Sequence, residues 1–239
     1  MSARFSKGLA ALATVAVLLA AAEGATAQAG KRYNPKIPAK WAKEVTNPYF
    51  PLLPGTTYKY AGKTKDWQET VTVEVLSRPR RVNGATATAV RDRVYLGGQL
   101  VEETEDWYAQ DADGNVWYLG EDSKKMKAGR VVGTEGSWEW AVKGALPGIV
   151  MWSDPTTHVG EKYRQEFLKG EAEDFATVVT INQGVKVLSG EFTGCITTED
   201  GSFVEPNVLE TKTYCPKVGF VLETVIGKER IELISVTRP

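Results

Sequence analysis

Thr70-Val71-Thr72-Val73-Glu74-Val75 alternates polar and apolar side chains at every step, and Val82-Asn83-Gly84-Ala85 follows close behind. A period of two puts the valines on one face of an extended strand. Asn-Gly is the dipeptide that closes two-residue hairpins, because both its residues accept positive φ. Working outward, strand-like runs recur at 86–96, 99–111, 115–121, 130–142, 158–168, 174–182, 185–198, 207–215 and 219–237, separated by Gly-Gly, Asp-Gly, Pro-Gly, Gln-Gly and Lys-Val-Gly. No long amphipathic helix interrupts them, and no repeat of fixed period marks a propeller or solenoid. About a dozen short strands do not stay flat and open. The expected fold is all-β: an antiparallel meander forming a barrel or curled half-barrel, in one β-rich domain over 56–239.

Upstream of that domain, residues 28–55 form a Pro-rich arm. Lys31 to Pro38 is punctuated by Pro35 and Pro38, and Ala39 to Val45 has room for one or two helical turns. Asn47-Pro48-Tyr49-Phe50-Pro51-Leu52-Leu53-Pro54-Gly55 cannot be regular structure, since each proline fixes φ and removes a donor. It reads as an ordered apolar lead-in to the first strand.

Residues 1–27 carry the pattern of a secretory signal peptide: Arg4 and Lys7, an apolar run from Leu9 to Ala22, then Ala25-Thr26-Ala27 as a small-x-small cleavage site. The run is shorter than the ~20 residues that span a bilayer, and no Cys follows it to take a lipid. The mature protein is therefore expected to be exported, periplasmic or extracellular, with no integral membrane span after cleavage. Of 29 Lys and Arg and 30 Asp and Glu, cleavage removes Arg4, Lys7 and Glu23, leaving a net charge of −2. That balance offers no basic field for nucleic acid or for an anionic leaflet.

Cys195 and Cys215, the two cysteines of the chain, read as a disulfide in an oxidising compartment. A metal pair would lack further Cys or His. His158 is the single histidine, no Gly-x-Ser-x-Gly elbow is present, and Rossmann and P-loop fingerprints are missing. No catalytic residue and no cofactor is assigned.

The hairpin Trp107-Tyr108-Ala109-Gln110-Asp111-Ala112-Asp113-Gly114-Asn115-Val116-Trp117-Tyr118 gathers four aromatics around one turn. A two-residue Asp113-Gly114 turn would pair Gln110 with Trp117, Tyr108 with Leu119 and Asp106 with Glu121; a three-residue loop with Gly114 in the left-handed region regroups them. Either register leaves large apolar groups on both faces, so both need cover: core on one side, and the Pro-rich segment, a ligand or a partner on the other. Asp106 opposite Glu121 would also need relief from like-charge repulsion, which Lys124 or Lys125 could supply. Asp111, Asp113 and Asn115 mimic positions 1, 3 and 5 of a calcium loop, but the Gly at position 6 and the Glu at position 12 are absent, so no metal is assigned. In Glu161-Lys162-Tyr163-Arg164-Gln165-Glu166-Phe167, strand alternation puts Tyr163, Gln165 and Phe167 on one face. Lys162, Arg164 and Glu166 take the other, solvated one, with an inward Arg164 anchoring an anion as the alternative.

The segments Tyr49-Phe50-Pro51-Leu52-x-Pro54-Gly55-Thr56, Asp106 to Asp111, Gly114 to Tyr118 and Tyr163 to Glu166 together resemble a group of uncharacterised exported bacterial β-rich proteins. More loosely, they resemble the TapB-like and related domains of unknown function. The resemblance implies a secreted β-rich protein and brings no catalytic residues with it. The leading functional expectation is a non-enzymatic β-barrel-like protein binding a small hydrophobic or lipid-like ligand through Trp107, Tyr108, Trp117, Tyr118 and Arg164. The alternatives are a hydrolase using carboxylates such as Glu102, Asp106, Glu121 or Glu166, and a structural or partner-binding envelope protein.

Overall fold

The computed structural model describes residues 33–63, 68–225 and 229–239; the signal peptide read at 1–27 lies outside them. The strands are β1 (Thr57–Lys63), β2 (Gln68–Val82), β3 (Ala85–Leu96), β4 (Gln99–Gln110), β5 (Val116–Lys127), β6 (Arg130–Gly133), β7 (Trp138–Glu139) and β8 (Leu146–Met151). They continue as β9 (Lys162–Arg164), β10 (Glu166–Phe167), β11 (Asp174–Val187), β12 (Gly190–Ser202), β13 (Leu209–Cys215), β14 (Gly219–Val225) and β15 (Glu229–Thr237). All lie in one 15-stranded sheet ordered β10-β8-β5-β4-β3-β2-β1-β15-β14-β13-β12-β11-β9, with β6 and β7 added on β5. Every ladder between named strands is antiparallel. The sheet curls into a half-barrel without closing. Its two edges, β10 and β9, are nonetheless neighbours in the chain, separated by Gln165 alone. The curled sheet therefore brings its ends to a seam at one short segment.

The stretch that set the expectation behaves as read. Val71, Val73 and Val75 are buried on the inner face, and Asn83 and Gly84 both take positive φ, 41° and 87°, to close β2 onto β3. Cys195 and Cys215 form a disulfide across the neighbouring strands β12 and β13.

Three local readings are corrected. Ala39 to Val45 is not helical. Trp41 bridges to Asp111 and Val45 to Leu52, so the backbone groups a helix would use internally go to the sheet and the lead-in turn, as in Ala42 N–H donating to Gln110 O at 2.8 Å. Pro147-Gly148, read as a separator, lies inside β8: Pro147 pairs with Glu166 at the short β10 edge, a place that tolerates a missing donor. Gln183-Gly184 is likewise no turn. It sits among the β-bulges of β11, where the register with β12 shifts on both sides of Gln183, and the hairpin turns later, after Val187.

Phe50 and Leu52 of the lead-in segment are buried in the main core. Phe50 lies 5.2 Å from the Tyr108 ring and 6.2 Å from Tyr214, among Tyr58, Tyr60, Phe220 and the disulfide. Further along the inner face the core becomes acidic. Asp92, Glu102, Asp106, Glu121, Glu166, Asp200, Glu210 and Glu223 are all buried, and Lys212 is buried among them, 3.5 Å from Asp200 and 3.4 Å from Glu210.

Candidate functional site

The aromatic hairpin resolves into the longer loop. Gly114 N–H donates to Asp111 O at 3.2 Å, Asp111 N–H donates to Asn115 O at 2.9 Å, and Gly114 has φ 92°. Ala109 then faces Trp117 and Tyr108 faces Tyr118; a bulge beyond Tyr108 restores Asp106 opposite Glu121. Indoles and phenols are thereby sorted to opposite faces. Tyr108 and Tyr118 stack inside the curl at 4.9 Å, where Tyr118 O–H donates to Asp106 Oδ1 at 2.5 Å. Burial, then the Asp106 and Glu121 carboxylates, hold both phenols well above their ordinary pKa. Trp107 and Trp117 face outward with Ala109 and Leu119. Trp107 lies beneath the Arg80 guanidinium, 4.6 Å from its ring centre, while Trp41 of the arm packs edge-on against Trp117 at 6.2 Å. Lys124 pairs with Asp122 at 2.8 Å and Lys125 with Glu135 at 3.2 Å.

Outside the seam lies a cleft of about 840 Å³. Its floor is Trp117 of β5, Ile149 of β8, Trp152, and Tyr163 and Arg164 of β9; its far wall is the arm from Tyr33 to Lys40. The arm is fixed at both ends. Tyr33 O–H donates to Pro147 O at 2.9 Å, and beyond Trp41 the Gln110 amide oxygen accepts the N–H groups of Thr46 and Asn47, both at 2.8 Å. Asn47 in turn donates to Gly114 O at 3.0 Å and Trp152 O at 2.9 Å. From Tyr33 to Lys40 the Pro-rich chain follows the seam without joining the sheet, and it first bridges at Trp41, opposite Asp111, which is what leaves room beneath it.

Of the residues singled out by sequence, Trp117 and Arg164 line this cleft, together with Asp111, Asp113 and Asn115. Tyr108 and Tyr118 belong to the buried interior instead, and Trp107 to the outer cluster under Arg80. Arg164 faces outward, 3.1 Å from Glu173 and with its guanidinium 4.5 Å from the Phe203 ring. Glu166 does not stay on that solvated face: the strand breaks at Gln165, the alternation slips by one, and Glu166 is buried. Gln165 is buried too, its N–H donating to Asp174 O at 3.0 Å. The Asp111 carboxylate accepts from Asp113 N–H, Asn115 N–H, Asn115 Nδ2 and Trp117 Nε1 at 2.9–3.0 Å. Those donors use its lone pairs to tie the turn, so it acts as a scaffold for the loop.

Sequence reasoning missed Ile149, because Pro147-Gly148 reads as a separator, and it offered the Pro-rich segment as cover for the hairpin without placing its residues or Trp152 at a cleft. The carboxylates named for hydrolysis, Glu102, Asp106, Glu121 and Glu166, all lie on buried inner positions and none lines the cleft. Beside them Asp92 has its pKa pushed well above the ordinary carboxylate range, by burial first and then by Asp106, Glu102 and Glu69.

No family profile and no curated protein sequence matches the chain. Among solved structures it is similar to a protein inferred to be exported, with a YmcC-like fold, from Bacteroides fragilis (13% identity, TM-score 0.45, covering 80% of this chain and 99% of that one). It is also similar to an inferred lipoprotein from Parabacteroides distasonis (9% identity, TM-score 0.41, covering 79% and 98%). Among the described residues no helix is long and apolar enough to cross a membrane.

Proposed function

We propose that this is an exported, non-enzymatic protein that binds a small apolar or lipid-like molecule in the cleft between the arm and the seam. The observation that carries the reading is the cleft itself. At about 840 Å³ it falls in the 300–1,000 Å³ range typical of small-molecule sites, and indole, phenol and aliphatic groups furnish its floor. Export is supported by the signal-like residues 1–27 and by a disulfide, which persists in oxidising compartments. Titrating the mature protein with 1-decanol while following tryptophan fluorescence tests the site, because Trp117 and Trp152 both line it. Saturable binding that Trp152→Ala weakens tenfold or more supports the proposal; no change in fluorescence across the solubility range of the probe refutes it.

A second reading, hydrolysis by a carboxylate pair, is favoured by Asp106 lying directly opposite Glu121. It predicts turnover of glycoside or ester substrates that Asp106→Asn abolishes, and falls if the mature protein turns over none.

A further inference from the structure

Taking the cleft as a ligand site, we infer that the ligand it takes is an anionic amphiphile, with its head at the Arg164 end and its chain along Trp117, Ile149 and Trp152. The cleft is rich in donors and cations and poor in available acceptors. Lys36 and Lys40 reach it from the arm, and Lys162 and Arg164 from β9. Of its carboxylates, Asp111 is consumed by the turn, and Glu161 lies 2.7 Å from the His158 ring nitrogen. Asp113 remains, on the hairpin tip.

Arg164 is ion-paired through Nη1 with Glu173 Oε2 at 3.1 Å, which fixes the fork and leaves its other N–H groups to an incoming head. Arg164 is also pre-oriented: its guanidinium lies 5.8 Å from the Tyr33 ring, 5.0 Å from Phe167 and 4.5 Å from Phe203. A fork held flat among rings suits a carboxylate, sulfate or phosphate oxygen pair. The cleft's length favours a chain behind that head, since the arm runs from its Tyr33 anchor at Pro147 to the Trp41 bridge at Asp111.

The test compares three probes of equal chain length, decanoate, 1-decanol and decyltrimethylammonium, titrated into the mature protein at neutral pH. The expected order is decanoate first, tighter than the alcohol by roughly tenfold or more, as one charge-assisted hydrogen bond provides, with the ammonium weakest. Arg164→Gln should bring decanoate down to the affinity of decanol. The Lys36→Gln/Lys40→Gln variant, altered only on the arm, should lower decanoate binding selectively by a smaller factor. Equal affinities for all three probes, or tighter binding of the ammonium, overturn the anionic assignment while the cleft reading stands. Binding of none of the three overturns the cleft reading itself. Decyl sulfate and decyl phosphate then separate the anion classes.

Discussion

A single methyl group placed at Gly148 tests whether the seam is built as described. A Cβ there would lie 2.3 Å from the Arg164 carbonyl oxygen and 2.5 and 2.6 Å from the Gln165 carbonyl carbon and oxygen. Ordinary contact demands that these atoms part by roughly 1 Å. The obstacles are backbone atoms, so no side chain can swing away. Relief has to come from moving β8, tied to β5 through Gly148 opposite Tyr118, or from moving 164–166, tied to β11 through Arg164 opposite Phe175 and to β8 through Glu166 opposite Pro147. Overpacking of this kind costs about 1–3 kcal/mol, offset by about 0.4–1 kcal/mol from the reduced freedom of the unfolded chain. The net expectation for Gly148→Ala is a loss of about 1–1.5 kcal/mol, which in a domain of this size lowers Tm by about 2–6 °C. Gly184→Ala in β11 is the matched control, since its Cβ would meet only Phe192 O at 3.7 Å; it should stay within about 0.5 kcal/mol of the parent. Thermal melts by circular dichroism read both variants, and hydrogen exchange should show the Gln165 amide opening faster in Gly148→Ala. Equal melting of Gly148→Ala and the parent, or an equal fall in the control, would refute the seam.

Three other outcomes follow from the core. Reducing the Cys195–Cys215 bond, which closes a sequence separation of 20, should remove about 3 kcal/mol on the chain-entropy argument; a melt unchanged by reductant, with free thiols confirmed, contradicts it. Burial pulls the Lys212 ammonium's pKa down, but Asp200, Glu210, Glu223 and Asp174 together outweigh it and hold the group charged above the ordinary lysine value. Lys212→Met should therefore cost about 3–5 kcal/mol, the usual result of breaking a buried ion pair from one side, and a variant as stable as the parent would show those carboxylates need no ammonium. Asp92 has its folded pKa raised above the ordinary 3.8, so its contribution to stability is complete below about pH 4 and is lost as pH climbs through the raised value. Asp92→Asn should gain on the parent progressively from pH 4 upward, and a constant gap in Tm between pH 3 and 8 would sink that assignment.

The fold was legible where period and turn chemistry agree: the valines of β2, Asn83-Gly84 and the long alternating runs of β3 to β5. Gly-containing dipeptides misled because glycine serves two purposes. At Gly84 it closes a turn, whereas Gly148 admits the backbone of Arg164 and Gln165, and Gly184 lies in a bulged stretch of β11. The slip at Gln165 escaped notice for a related reason. A strand that changes partner, from β11 to β8, breaks its alternation, and composition does not mark the place. Within the candidate site, Trp117 and Arg164 could be picked from local pattern, but the cleft is made by long-range placement: Tyr33 on Pro147, and Asn47 on Gly114 and Trp152. The doubly apolar hairpin did show that an outer cover was needed, and Trp41 of the arm packs there on Trp117. The hairpin register set Asp106 opposite Glu121, but nothing local revealed that Asp92 would join them in one interior, since β3 meets them only through its own register with β4.

Native mass spectrometry of the mature protein, purified from its exported fraction beside its Trp152→Ala variant, decides whether the cleft holds a ligand. A bound mass in the lipid or metabolite range is expected on the parent, depleted in the variant and released on acidifying to neutralise an anionic head. A bare polypeptide from that fraction, which also fails to take up added decanoate or decanol, would contradict it.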